Sequence, residues 1–257
     1  MASPIEQQTR RLVVAAGGYL RNIIRESGIT CATCTTPVDG YTRCWRCNND
    51  AAIPGLADIV VPLTYAIAHT QSGQVMRQYK DDASQQVRAA HTAVIRRLLY
   101  LGIVKHEQCI EQIVGKPVGR RFAIPSSTGR AGVHPFVTLA RDMNAVDEDP
   151  QLIPRTDTSF GEREVTAARF TLSPTSIRLD GQHVMILDDT WTTGSRTQSA
   201  ALLLRQHGAA HVSIMAVSRW IEPGFGDNKT FIRQRLGNDF NPDHCPVTGS
   251  TCPAPGR

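Results

Sequence analysis

Residues 184–198 read VMILDDTWTTGSRTQ, and the order of chemistries in that stretch decides the fold. Val184 to Leu187 form an apolar run of the length expected for a strand buried on both faces. Asp188 and Asp189 follow side by side, then the small residues Thr192, Thr193, Gly194 and Ser195. The next segment, SRTQSAALLLRQHG (195–208), carries its apolar part at Ala200 to Leu204 and reads as a helix stopped by Gly208. Strand, small-residue loop and helix in that order are half of a βαβ unit. The loop then lies at the carboxyl edge of a parallel sheet, where α/β proteins bind ligands.

Outward from this stretch the alternation continues. RRFAIPSSTGR (120–130) is strand-like until Pro125 and a small polar loop stop it, and FVTLARDM (136–143) reads as a helix. QLIPR (151–155) and HVSIMAVSRWI (211–221) read as strands, as does ADIVVPLTY (57–65). Val87, Val94, Ile95, Leu98 and Leu99 make an apolar stripe that predicts a long helix over 83–109. Residues 5–27 carry apolar positions at three- and four-residue spacing and predict an amphipathic N-terminal helix, although Gly17-Gly18 interrupts it. The tail from Asn228 is rich in Pro, Gly and Asp and is expected to be irregular. The expected organisation is therefore an N-terminal helix (1–27), a cysteine module (28–56), an α/β domain (57–227) built on a twisted parallel sheet flanked by helices, and an irregular tail (228–257).

The totals agree with a soluble chain. Its 257 residues suffice for a real core. The formal net charge of +5 suits anionic ligands without forming the basic stripe of a nucleic-acid protein. No secretory signal or membrane span is evident, so the expected location is the cytoplasm. In a reducing compartment seven cysteines point to metal or chemistry before disulfides.

Four of them form two C-x-x-C knuckles, Cys31-Ala-Thr-Cys34 and Cys44-Trp-Arg-Cys47. Each knuckle brings two thiolates to one ion, and two knuckles complete a closed tetrahedral zinc site with no open position, hence a structural one. In so short a segment the metal supplies the folding free energy, on the order of 10 kcal/mol. Trp45, between two ligands, is expected to pack the small module's interior. Asp243, His244, Cys245 and Cys252 are a weaker set, read as a solvated tail more readily than as a second site. Cys109 reads as a core thiol.

The loop after the two aspartates could close its backbone N–H groups around an anion, helped by the helix behind it. It lacks the G-x-x-x-x-G-K-[ST] spacing of a P-loop, and the G-x-G-x-x-G fingerprint is absent as well. Two carboxylates beside a phosphate repel it unless they face hydroxyls or a divalent cation. A ribose 5-phosphate supplies vicinal hydroxyls for the acids and a phosphate for the loop. The bland alternative is a strand end with solvated aspartates and a helix N-cap.

As an ordered string, the stretch resembles the phosphoribosyl-pyrophosphate (PRPP) signature of type I phosphoribosyltransferases. Joined to an N-terminal four-cysteine module, it is similar to the ComF-like branch of that family. Tyr79-Lys80 resembles that branch's K-Y segment. Ile124 to Arg130, Gly132-Val133-His134 and Leu139-Ala140-Arg141 resemble its P-x-x-x-x-R, G-F-N and L-A-R region. The likeness covers about residues 28–220.

It implies a Rossmann-like sheet and a Mg²⁺-dependent pentosyl transfer. Asp188 and Asp189 would hold the ribose hydroxyls, and Thr190, Thr192, Thr193, Gly194, Ser195 and Arg196 the 5′-phosphate. Ser126, Ser127, Thr128 and Arg130 would meet the pyrophosphate, with Arg130 and Mg²⁺ stabilising the leaving group. The partners implied are PRPP and an acceptor that no motif names. The sequence departs from the family at Arg196, where a threonine is usual, at Trp191, where an aliphatic residue is usual, and at His134, where an asparagine is expected. It departs again in the mobile-loop region 155–169, which lacks the branch's glutamine and asparagine. His134 reads as a structural residue before Pro135 more readily than as an acceptor-side base. Three functions follow in order: an enzyme, a PRPP sensor or regulator with a role in DNA uptake, and a zinc-dependent nucleic-acid module.

Overall fold

The computed structural model describes residues 2–126, 132–155, 160–161 and 163–254. The apolar run of 184–187 lies inside strand β5 (His183–Trp191) of a four-stranded parallel sheet. Its neighbours are β6 (His211–Ile221) and β2 (Val118–Ala123), and β1 (Ile59–Ile67) closes the other side, in the order β1-β6-β5-β2. The registers Ile186↔Ile214 and Phe122↔Ile186 bring all the carboxyl ends to one edge.

The pleat sorts alternate residues to opposite layers. Val61, Leu63, Met185, Leu187, Met215 and Val217 face a core shared with helices α1 (Pro4–Ala16), α3 (Gln71–Asp81), α4 (Gln85–Val114) and α5 (Pro135–Asp142). Val60, Val184, Ile186, Val212 and Ile214 face a second core shared with α6 (Ser195–Gln206) and with Cys31, Cys34 and Cys47. The result is a parallel sheet with helices on both faces and a small four-cysteine module at residues 31–47, which contains the short helix α2 (Trp45–Asp50). Among the described residues no helix is long and apolar enough to cross a membrane.

Three expectations are corrected. The N-terminal helix stops at Ala16 and does not reach residue 27. Beyond Gly17 the chain runs along β1, with Thr64 Oγ1 (2.7 Å) and the Tyr65 N–H (3.1 Å) donating to the Arg21 carbonyl. Leu20 joins the core that α1 and α4 share with β1, and Ile23 clusters with Tyr65 and Ile67 of β1, neither as part of a continuing N-terminal helix. The tail contains helix α7 (Asn228–Arg235), held by Phe231 edge-on to Tyr65 with ring centroids 5.8 Å apart. The 151–155 strand exists as β3 (Gln151–Pro154), but it pairs antiparallel with an unforeseen β4 (Phe170–Ser173) and so forms a separate two-stranded sheet.

Candidate functional site

β5 carries its polar end into the sheet edge. Asp188 and Asp189 are 5% and 1% exposed, so neither is a solvated strand end. Being consecutive on a strand, they leave its two faces. Asp189 turns toward α3, where its Oδ2 accepts from Lys80 Nζ at 2.6 Å and from the Tyr79 hydroxyl. Burial pushes the Asp189 carboxyl up, but the Lys80 charge and these hydrogen bonds outweigh it and hold the group below the usual carboxylate range. Asp188 has no such pairing. Burial first, and the neighbouring Asp189 charge second, push it up to about 7, against smaller opposing effects of Arg196 and Lys80. Its Oδ1 accepts the Asp189 N–H at 2.9 Å.

The loop that follows turns sharply into α6. Gly194 caps the helix with φ +79°, a left-handed conformation in which glycine carries no steric penalty. It also lies against the ring of Trp191, and a Cβ at 194 would come within 2.1 Å of that ring. The bulky Trp191 therefore sits inside, 2% exposed, under the loop. Asp188, Thr190 and residues 191–197 line one small concavity, in which the hydroxyls of Thr193 and Ser195 are 3.2 Å apart. Thr190 is braced from β6 by Ser218 Oγ at 3.4 Å. The first N–H groups of a helix have no carbonyl partner within it, and its dipole favours an anion there. An oxygen-only set of carboxylates and hydroxyls with an anion-favouring helix start can take a phosphorylated polyol and a hard cation such as Mg²⁺.

The carboxyl end of β2 is adjacent to these acids, since the Ile124 N–H donates to the Leu187 carbonyl at 3.0 Å. Ser126 thus stands at the same edge and lines a larger cavity with His134, Arg141 and β3. Ser127, Thr128 and Arg130 lie outside the described residues, as do parts of the 155–169 region. His134 is the N-cap of α5, its Nδ1 accepting from the Phe136 N–H at 3.2 Å, which is the structural role expected of it. From the 155–169 region, the Thr166 N–H donates to Ser199 Oγ on α6 at 3.0 Å, and the Arg163 carbonyl accepts from Arg46 of the cysteine module.

Arg219 was not foreseen as part of the site. This buried arginine on β6 donates from Nη1 to the carbonyls of Trp191 and Thr192, both at 3.0 Å, and so fixes the start of the loop. The one hint in the sequence was a lone arginine near the end of an apolar strand.

The four sulfurs of Cys31, Cys34, Cys44 and Cys47 all lie within 4.8 Å of one another and could hold a metal ion such as zinc. Cys34 Sγ and Cys44 Sγ are 3.8 Å apart. Zinc–sulfur bonds of about 2.3 Å in a tetrahedron give an edge of about 3.8 Å. The first knuckle closes by Thr35 N–H to Cys31 O at 2.9 Å, with Thr35 at φ +58°. In the second, the Cys47 N–H points at Cys44 Sγ at 3.5 Å. Arg25 and Arg219 are near enough for their charges to act on this cluster, which offsets the negative charge of four thiolates around a divalent ion. Trp45 does not pack the module's interior. It is 76% exposed, because α2 turns its ligand-bearing face inward and Trp45 outward.

No protein-family model matches the chain, and no curated protein matches it.

Proposed function

We propose that the chain is a PRPP-binding, phosphoribosyltransferase-like protein of the ComF-like type, transferring the 5-phosphoribosyl group to an acceptor with release of pyrophosphate. The observation that carries this reading is a single edge holding two buried, differently tuned carboxylates one step from a helix-start loop. An anion site alone would not bury acids beside it. A ribose 5-phosphate has a use for both.

In this reading the phosphate sits against the N–H groups and hydroxyls of Thr192 to Arg196, and the ribose hydroxyls face the carboxylates. Asp188, near neutrality at pH 7, can donate to a sugar oxygen when protonated and accept or face a cation when ionised. Asp189, held ionised by Lys80, accepts only. Mg²⁺ bound with PRPP would supply positive charge to the departing pyrophosphate, and Asp188 is the carboxylate that would help hold it. The protein's own contribution is orientation and a water-poor edge, worth most when charge develops on the ring and leaving group.

The test is titration of the full chain with PRPP and Mg²⁺, on wild type and on Asp188→Asn/Asp189→Asn. Loss of binding in the variant supports the assignment, and equal binding by both proteins rejects it. Pyrophosphate release with candidate nucleobase or amine acceptors then separates an enzyme from a PRPP sensor.

One observation favours a second reading for another face. Tyr41, Trp45 and Phe225 are all strongly exposed and line one groove with Arg43 and Arg235. Exposed aromatics beside arginines suit stacking on unpaired bases. Single-stranded DNA binding that survives the aspartate changes but falls at least tenfold in Trp45→Ala would support a nucleic-acid role. No binding by the wild type removes it.

A further inference from the structure

We propose that His106, Cys109, Cys245 and Cys252 form a second metal site, taking a zinc-class divalent cation and fastening the C-terminal segment to α4. It does not depend on the PRPP reading. The four ligand atoms all lie within 4.8 Å of one another, although they come from segments more than 130 residues apart. His106 and Cys109 are three residues apart on α4 and therefore share a face of the helix.

Cys245 and Cys252 are gathered by a tight turn. The Cys245 N–H donates to the Ser250 carbonyl and the Gly249 N–H to the Cys245 carbonyl, both at 2.8 Å. Gly249 has φ +78° and lies on Arg25, where a Cβ would come within 2.8 Å of the Arg25 Cβ. The glycine thus lets the turn close against the molecule. Cys252 Sγ is 3.5 Å from His106 Nδ1. Bonds of about 2.3 Å to sulfur and 2.05 Å to nitrogen in a tetrahedron give an edge of about 3.6 Å.

The chemistry of the set favours a metal over a disulfide. A disulfide uses two sulfurs and leaves the third thiol and a buried imidazole beside it without a shared task. Three thiolates and one imidazole are a complete zinc ligand set with no open position, so the site is structural. The chain has seven cysteines, and the two clusters account for all of them, four in the first and three here. The neighbouring His244 and Asp243 are turned elsewhere. His244 Nε2 faces the Ile23 carbonyl at 2.9 Å, and Asp243 pairs with Lys105 at 2.6 Å.

The fastening has a purpose in the fold. Arg25 Nε donates to the Pro246 carbonyl at 2.7 Å, next to Cys245, and its Nη2 donates to the Val60 carbonyl on β1 at 2.6 Å. The clipped turn therefore braces the segment that leads from α1 into the first cysteine module.

The experiment is elemental analysis of the full chain, purified with zinc and reductant and freed of loose metal, against Cys245→Ser/Cys252→Ser. The expected result is about one zinc per chain fewer in the variant, with wild-type helix content by circular dichroism. Equal metal content in the two proteins overturns the proposal, as does a disulfide joining any two of Cys109, Cys245 and Cys252 in the wild type. If the variant does not fold, the wild type decides: two zinc ions per chain support the second site, and one or none overturns it.

Discussion

The carboxyl of Asp188 should make the protein less stable as pH rises, and replacing it should remove that dependence. Asp188 stands at about 7 against an ordinary 3.8, a difference of about three units. Each unit corresponds to about 1.4 kcal/mol, so the full effect is on the order of 4 kcal/mol. The unfolded chain loses this proton near the ordinary value, whereas the folded chain keeps it until about 7. The stability tied to this proton is thus whole below about pH 4, falls as pH rises from about 4 to about 7, and changes little above. Asp188→Asn has no proton to lose and keeps an oxygen for the Asp189 N–H. Its stability relative to wild type should rise by about 2 kcal/mol from pH 5 to 7 and by well under 1 kcal/mol more to pH 8. Urea unfolding of both proteins at each pH, without PRPP and with zinc present, measures this. A difference that does not change with pH, or that favours the wild type more as pH rises, refutes the reasoning. If the proposed reading holds, the same variant should also bind PRPP more weakly than wild type, measured by the same titration.

Lys80→Met should cost about 2–3 kcal/mol in urea unfolding, because Asp189 is left buried without its cation, and adding Asp189→Asn should restore most of that. Gly194→Ala should destabilise by more than about 3 kcal/mol, since its Cβ meets the Trp191 ring at a positive φ. Trp191→Leu in the same chain should recover part of the loss and leave about 1 kcal/mol for the backbone. Stripping zinc with a chelator should abolish amide protection across residues 31–47 in hydrogen exchange while β5 and β6 keep theirs, because thiolate–metal bonds would supply the folding free energy of so short a segment.

What the sequence made legible was local. The 184–208 stretch announces strand, loop and helix because the apolar run, the small residues and the helical stripe are contiguous. The two C-x-x-C knuckles announce their cluster for the same reason. The misread parts depend on partners far along the chain. Leu20 and Ile23 sit at helical spacing, yet they are buried on a segment running beside β1, and spacing does not distinguish those two ways of hiding an apolar residue. Helix α7 offers only Phe231 and Ile232 as apolar residues, so its periodicity is too weak to read, and Tyr65 of β1 supplies the packing. Cys109 is the core thiol its helical stripe announces, but its closeness to Cys245 and Cys252 was not legible, because they lie in the tail.

The same distinction explains the two aspartates. As a sequence pair they look equivalent, and a resemblance assigns them one shared task. On a strand they cannot be equivalent, because the pleat sends consecutive side chains into different layers. One layer contains α3, whose last turn delivers Lys80 and Tyr79 to Asp189. The other contains α6, which brings Asp188 only the more distant Arg196 charge. Geometry thus separates two like residues into a fixed acceptor and a group that titrates near neutrality. In the proposed reading that difference would suit a ligand carrying both hydroxyls and a cation, such as PRPP with Mg²⁺.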